Sequence, residues 1–177
     1  MQLPEGSEAA DFDRLFIPHM DAAYNLARWL VRDDHDAQDV VQEAYLRAFK
    51  HAAGFRSGDP RAWILAIVRN VAFTWLTRNR GTDPPAEFDE QVHSGTVEET
   101  GLETDSVRKA DSAMIRAALT DLPAEFREVI VMRDIEGLSY KEIAHAADVP
   151  IGTVMSRLAR ARRKLADSLR ERIAKER

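Results

Sequence analysis

Apolar residues recur along most of the chain at the three-to-four-residue spacing of helices that bury one face. No stretch alternates convincingly between apolar and polar residues with the period of two that strands show. Prolines, glycines and runs of polar residues divide the pattern, which predicts helices over residues 8–32, 35–51, 60–79, 107–120, 123–135, 139–146 and 151–174. The predicted fold class is therefore all-α.

The stretch SYKEIAHAADVPIGTVMSRLARARRKL, residues 139–165, predicts a helix, a tight turn and a second helix. Ser139 and Glu142 have the spacing of a capping box, and Pro150 suits the first turn of a helix. Apolar residues of the second helix share one arc: Val154, Leu158, Ala161 and Leu165. Small, hydroxyl and guanidinium groups share the opposite arc: Gly152, Ser156, Ala159, Arg160 and Arg163. Such a helix suits a DNA major groove, and the alternative is a solvated basic helix packed on a neighbour.

The third predicted helix, RAWILAIVRNVAFTWLTRNR, is apolar nearly all the way round and contains four arginines and no acid. One arc predicts the buried side: Ile64, Ile67, Val68, Val71 and Trp75. Another mixes aromatic, amide and cationic groups: Trp63, Ala66, Arg69, Asn70, Phe73 and Thr77. Stacking groups beside positive charge are typical of single-strand binding. The alternative is that Trp63 and Phe73 are core residues.

An acidic helix precedes it in the segment DAQDVVQEAYLRAFK. One face is apolar, and the other carries Asp36, Asp39, Gln42 and Glu43. Five acids and no base lie between Asp33 and Glu43, so this face repels phosphate and should attract a basic protein. A plain solvated face is the alternative.

Residues 81–106 contain eight acids, two prolines, three glycines and no lysine or arginine. That composition predicts an acidic linker between two small helical domains, residues 1–80 and 107–177, which the linker would allow to sit well apart. A long ordered loop inside one domain is the less favoured interpretation.

The net charge of −5 conceals a basic C-terminal segment, because residues 151–177 sum to +6. The remaining acidity opposes duplex DNA, so the chain alone should bind it weakly and would need a partner. The absence of cysteine excludes disulfides, thiolate metal sites and a cysteine nucleophile. No apolar run has the length of a membrane span, and the acidic start is unlike a signal peptide, which together predict no membrane insertion and a cytoplasmic location.

Nothing in the sequence favours an enzyme, a metal site or a cofactor. The five histidines are scattered without metal-ligand spacing, and no phosphate-binding loop or nucleophile elbow is present. A regulator that binds duplex DNA alone as a dimer remains the principal alternative.

Three motifs, in their order along the chain, resemble those of extracytoplasmic-function sigma factors of the bacterial sigma-70 family. They are DAQDVVQEAYLRAFK, RAWILAIVRNVAFTWLTR and LPAEFREVIVMRDIEGLSYKEIAHAADVPIGTVMSRLARARRKL. The resemblance runs from Phe12 to about Leu169. It implies a promoter-specificity subunit of RNA polymerase with sigma region 2 in the first domain and region 4 in the last. It also implies control by an anti-sigma factor.

The resemblance further implies roles for individual residues. The acidic helix would dock the polymerase large-subunit coiled coil through Asp36, Asp39, Gln42 and Glu43. The third helix and the Gly54–Pro60 loop would melt and capture the −10 element, with Trp63, Arg69, Asn70 and Thr74 at the DNA. The helix after Pro150 would read the −35 element through Thr153, Ser156, Ala159 and Arg160, with Arg157 and Arg163 toward phosphates. Met155 departs from the family pattern, which usually has arginine or lysine there, and methionine can neither form a bidentate contact with guanine nor pair with a phosphate.

Overall fold

The computed structural model describes residues 6–79 and 102–176, and in these ranges the chain forms α-helices and short helical turns without a strand. The α-helices are α1 Gly6–Phe16, α2 Met20–Val31, α3 Asp34–Lys50, α4 Pro60–Arg78, α5 Leu102–Thr120, α6 Ala124–Ile130, α7 Tyr140–Ala147 and α8 Ile151–Glu176. The predicted all-α class is confirmed.

The first predicted helix, residues 8–32, is wrong as a single element. A 3₁₀ turn at Ile17–His19 separates α1 from α2. Pro18 explains the break, since proline has no N–H to donate and its ring clashes with the carbonyl four residues earlier. The next boundary is as predicted, because Arg32 ends α2 with a left-handed φ of 64° and Asp33 caps α3 by accepting a hydrogen bond from the Asp36 amide at 2.9 Å.

Two further boundaries differ from prediction. Helix α5 begins at Leu102, within the segment expected to be linker, and the rest of that segment, residues 81–101, lies outside the described residues. Helix α6 ends in a π-helical turn, Val131–Ile135, in which the Glu136 amide donates to the Val131 carbonyl at 2.8 Å. Gly137, at φ 71°, then turns the chain toward α7.

Helices α2, α3 and α4 form the core of the first half of the chain. Their fully buried side chains include Leu26, Leu30, Leu65 and Val68. Helix α1 adds a second, mainly aromatic cluster in which Phe12 and Phe16 contact Phe49, Phe55 and Trp63. The two clusters position α3 and α4 side by side.

The second half contains the predicted helix-turn-helix in α7 and α8. The capping box is present: Ser139 Oγ accepts from the Glu142 amide at 3.1 Å, and Glu142 accepts from the Ser139 amide at 2.7 Å. Asp148 ends α7 with a left-handed φ of 53°, and α8 begins after Pro150. The predicted inward arc of α8 is buried at Val154, Leu158 and Ala161.

The two halves pack against each other. Helix α4 contacts α7, α2 contacts α6, and one continuous hydrophobic cluster contains residues of both halves. Leu30 and Val68 of the first half therefore share a core with Ile130 and Ile143 of the second. The sequence indicated domains that could sit well apart, and the structure shows them in contact.

Candidate functional site

The acidic face of α3 is open to solvent. Asp39, Gln42 and Glu43 are exposed, whereas Asp36, near the start of the helix, is half-buried. Glu43 forms an exposed ion pair with Arg47 one turn later, at 2.6 Å. The fold thus keeps the four predicted docking residues along one helix and leaves three of them accessible.

An apolar groove of about 640 Å³ lies beside this face. Its most exposed apolar side chains are Ile17, Met20 and Leu46, which are 45%, 40% and 51% exposed. Gln42 belongs to both the groove and the acidic face, and Asp13 and Asp21 add carboxylates to the groove lining. Sequence reasoning missed the groove because the break at Pro18, which brings Ile17 and Met20 to α3, was not predicted.

Tyr45 lines the groove and fixes α3 to the end of α1. Its hydroxyl donates to the Phe16 carbonyl at 2.8 Å. Burial of the ring raises the pKa of Tyr45 to about 12, with a smaller contribution from the carboxylate of Asp21. The hydroxyl therefore remains a donor throughout the physiological pH range.

The four predicted −10 residues of α4 occupy three environments. Trp63 is half-buried in the aromatic cluster, with its ring 4.9 Å from that of Phe16 and 5.5 Å from that of Phe55. Asn70 and Thr74 are exposed, and the Thr74 hydroxyl donates to the Asn70 carbonyl at 3.0 Å. Arg69 points toward the second half of the chain. The fold thus brings Asn70 and Thr74 together on exposed turns of α4, and Trp63 lies about two turns earlier on the same helix.

The predicted pocket loop Gly54–Pro60 joins this aromatic cluster to α4. Phe55 packs on Phe16, and Gly58 has a φ of 106°, which favours glycine. Asp59 caps α4 by accepting from the Arg61 amide at 3.0 Å, and Pro60 occupies the first turn. The loop is thereby held close to Trp63.

Glu128 of α6 is fully buried and receives Arg69 from the other half of the chain. The guanidinium contacts both carboxylate oxygens, at 2.6 and 3.0 Å, and lies 4.0 Å above the ring of Phe73. Arg157 of α8 approaches the same carboxylate at 3.6 Å. Burial raises the pKa of Glu128, while Arg69 and Arg157 oppose that shift. The Glu128 carboxylate thus binds Arg69, which was predicted to contact the −10 element, and also contacts Arg157, which was predicted to contact the −35 element.

Polar contacts elsewhere reinforce the junction between the halves. Glu136 accepts from Arg61 at 2.6 Å and from Asn25 at 2.8 Å. Arg127 donates to the carbonyls of Leu122 and Leu30, at 2.7 and 3.3 Å. Burial, and next the charge of Arg32, lowers the pKa of Arg127 to about 10. These contacts hold α6 against the end of α2.

Sequence reasoning missed Glu128 and Arg127 as structural residues. The available signal was their position in AEFREVIVMRD, where two charged residues are followed directly by four apolar ones. A charged residue that a helix buries needs a partner of opposite charge or hydrogen-bonding groups. Periodicity could have marked both residues as buried, but it could not name Arg69, 59 residues earlier, as the partner of Glu128.

The outward face of α8 is accessible at its N-terminal end. Ser156, Ala159, Arg160 and Arg163 are exposed, Thr153 is half-buried, and the Arg157 side chain is 24% exposed. Arg162 is held by Asp134 through bonds of 3.1 and 2.6 Å. Gly152 has open space where a side chain would stand. The fold therefore presents five of the six predicted −35 residues along one helix and turns Arg157 toward Glu128.

Within the described ranges, no group of three or more potential metal ligands converges, and no helix is long and apolar enough to cross a membrane.

Comparison with known proteins identifies both halves. Residues 15–82 match the family Sigma-70 region 2, and residues 112–165 match Sigma-70, region 4. The RNA polymerase sigma-H factor of Pseudomonas aeruginosa is 34% identical over 181 residues, which cover 95% of this chain and 92% of the relative. The ECF RNA polymerase sigma-E factor of Escherichia coli strain K12 is 34% identical over 137 residues, which cover 72% of this chain and 70% of the relative. The chain belongs to the extracytoplasmic-function (ECF) class of the sigma-70 family.

Other relatives place this sigma factor in the same class. The ECF RNA polymerase sigma factor SigE of Mycolicibacterium smegmatis is 36% identical over 166 residues, which cover 93% of this chain and 64% of the relative's length. Because members of this family are transcription initiation factors, the chain is not an enzyme.

Two solved structures share the fold across both halves. The sigma factor RpoE of Bartonella quintana, in complex with the anti-sigma factor NepR, superimposes with a TM-score of 0.74 at 25% identity, covering 90% of this chain and 97% of RpoE. CnrH, in complex with the cytosolic domain of CnrY, gives 0.62 at 27% identity, covering 90% of this chain and 88% of CnrH.

Proposed function

We propose that this sigma factor binds core RNA polymerase, directs it to specific promoters and promotes melting of the −10 element. The observation that carries the proposal is that this sigma-70 family member has two different binding surfaces, one on each half of the chain. An acidic face beside an apolar groove lies on the first half, and an exposed basic helix lies on the second. Neither surface carries the chemistry of an enzyme, and both suit a protein that acts within a larger assembly.

The first half, residues 1–80, would dock on polymerase and bind −10 DNA. Exposed carboxylates at Asp39 and Glu43 attract a basic partner, and the neighbouring groove offers Leu46, Met20 and Ile17 for burial. A basic helix with apolar residues on one side would satisfy both surfaces at once. This chemistry supports docking of the polymerase coiled coil along α3, through Asp36, Asp39, Gln42 and Glu43.

Strand opening would rest on α4 and the loop before it. Asn70 and Thr74 are exposed on one face, and the Gly54–Pro60 loop lies beside Trp63. Capture of flipped bases can drive strand opening without ATP, since it offsets a stacking loss of a few kcal/mol for each base. Asn70 would hold a base of the non-template strand, with Arg69, Thr74 and Trp63 at the backbone and the melted edge.

The second half, residues 107–177, would read the −35 element as a duplex. Helix α8 follows a helix-turn-helix turn and exposes Ser156, Ala159 and Arg160 in its first turns. Thr153 would join them at the bases, and Arg157 and Arg163 would approach phosphates. The acidic segment 81–106 would connect the halves, with its last residues already in α5.

The packed arrangement favours a role for an anti-sigma factor. Arg69 is occupied by Glu128, and α7 lies against α4, so Arg69 can reach DNA only after α4 separates from the second half. The RpoE structure, which matches both halves, was obtained with an anti-sigma factor bound. An anti-sigma factor that binds the packed chain would keep Arg69 away from DNA. A protein that acts on polymerase and promoter DNA would do so in the cytoplasm.

Transcription from fragmented genomic DNA by purified core polymerase, with and without this sigma factor, tests the proposal. We expect discrete transcript starts that require the chain, followed by run-off transcription from one such promoter. An absence of chain-dependent starts would contradict the proposal.

A gel shift separates this function from that of a regulator acting alone. We expect specific binding of duplex promoter DNA only when core polymerase is present. Tight and specific binding by the chain alone would favour the regulator.

A further inference from the structure

The exposed face of α8 carries two parallel rows of residues. Ile151, Met155 and Ala159 form an apolar row at intervals of four, and Gly152, Ser156 and Arg160 form a polar row beside it. Ile151 is 44% exposed and Met155 is 53% exposed. The adjacent side of the helix supplies the core through Val154, Leu158 and Ala161, whereas the residues of the apolar row are not among the core residues.

The charges around the apolar row suit DNA. From Ile151 to Ala166 the helix contains five basic residues and no acid. A neighbouring protein segment that matched this face would need to be both apolar and strongly acidic, whereas duplex DNA supplies negative phosphates beside groove edges. The apolar row lies at the N-terminal end of α8, the end from which a helix-turn-helix reads bases.

One base presents an apolar group in the major groove, namely thymine with its C5 methyl. Methionine has a flexible, polarisable side chain that adapts to such a surface and cannot form the bidentate contact of arginine with guanine. We infer that Met155, supported by Ile151, contacts thymine methyl groups in the −35 element, so that α8 reads thymine at that position. This inference rests on the proposed function of α8 and adds a base preference to it.

Removal of a single methyl group tests the contact. The holoenzyme is assembled from core polymerase and the full chain, and its affinity is measured for a promoter that the transcription experiment has identified. Each thymine of the −35 element is then replaced in turn by uracil. Burial of one methyl group predicts that affinity falls about fourfold at one or two positions. Met155→Ala should bind the unmodified promoter less tightly and show no further loss with uracil at those positions. Ile173→Ala, an exposed apolar residue at the far end of the same helix, serves as the control and should retain the full uracil effect.

Three results of the DNA-binding experiment would overturn the inference. They are a −35 element without thymine, a wild-type holoenzyme that is insensitive to uracil at every position, and a Met155→Ala holoenzyme that keeps the wild-type uracil effect. A fall in core polymerase affinity without any change in DNA preference would assign Met155 to a protein contact and would also overturn it.

Failure of the underlying function has a different signature. If α8 does not bind the −35 element at all, scrambling that element and replacing Arg160 by alanine will both leave holoenzyme binding unchanged. If α8 binds but Met155 does not read methyl groups, both of these changes will weaken binding while uracil has no effect.

Discussion

Arg69 and Glu128 join the two halves of the chain through a two-point ion pair in which the carboxylate is fully buried. Removal of one partner from a buried pair costs about 3–5 kcal/mol, because the remaining charge loses its compensation. The pair therefore contributes to holding the −10 face against the second half.

Glu128→Gln should shift the chain toward separated halves. Glutamine keeps the shape of the buried side chain and removes the charge that holds Arg69, so we expect the separated population to rise by about tenfold or more. The chain has no cysteine, which allows fluorescent labels on Ala10→Cys and Lys141→Cys, one exposed position in each half. Energy transfer between them should fall in the variant. Glu125→Gln, an exposed acid on the same helix, should leave it unchanged, and equal transfer in all three proteins would contradict the prediction.

Asp39→Arg combined with Glu43→Arg should abolish binding to core polymerase. Both side chains are exposed, so the reversal of charge should change docking without unfolding α3. A pull-down with purified core polymerase measures the effect. Asp111→Arg with Asp167→Arg makes the same charge change at exposed positions of the second half and should bind normally. Retention of the Asp39 and Glu43 variant on polymerase would refute the assigned docking face.

Asn70→Ala should impair open-complex formation more than initial promoter binding. The side chain is exposed and makes little contribution to the core, so folding should be preserved while the flipped base loses its partner. Permanganate reactivity of unpaired thymines measures melting, and a gel shift measures binding. Thr77→Ala, two turns later on the same helix, provides the control. Normal melting with Asn70→Ala would remove this residue from the −10 site.

Tyr45 should ionise near pH 12. Its pKa is raised in the folded chain, so the neutral ring stabilises the fold fully below pH 10, and this contribution is lost as the pH rises from about 10 to about 12. The difference between the tyrosinate absorbance of the wild type and that of Tyr45→Phe should have its midpoint near 12. A midpoint near 10 would indicate that the ring is solvated and that its hydrogen bond to Phe16 is not maintained.

Local signals were sufficient for much of the fold. The capping box at Ser139, the break at Pro150 and the buried spacing of α8 each depend on residues close together in the chain, and all were predicted. The break at Pro18 also had a local signal, but the apolar periodicity on both sides masked it. The spacing of apolar residues does not reveal a single interrupted helical turn when the apolar residues before and after it fall on nearly the same face.

Long-range contacts account for what the sequence did not predict. The groove depends on Ile17 and Met20 meeting Leu46 across two helices, and the junction depends on Arg69 meeting Glu128. The spacing of residues along the chain does not show which buried acid forms an ion pair with an arginine on another helix. The exposed sites on α3 and α8 were easier to predict, because each lies on a single helix whose face is set by helical geometry.

The shared carboxylate of Glu128 also makes Arg69 and Arg157 competitors. Arg157 lies in the same half as Glu128, so when the halves separate and Arg69 leaves, the carboxylate becomes available to Arg157 alone. Conversely, a phosphate that draws Arg157 away strengthens the attraction of Glu128 for Arg69. Linkage requires these two effects to be equal in free energy, so contact of Arg157 with phosphate and release of Arg69 are negatively coupled. Glu128 therefore makes separation of the halves and contact of Arg157 with −35 DNA mutually unfavourable, so that each is weakened once the other has occurred.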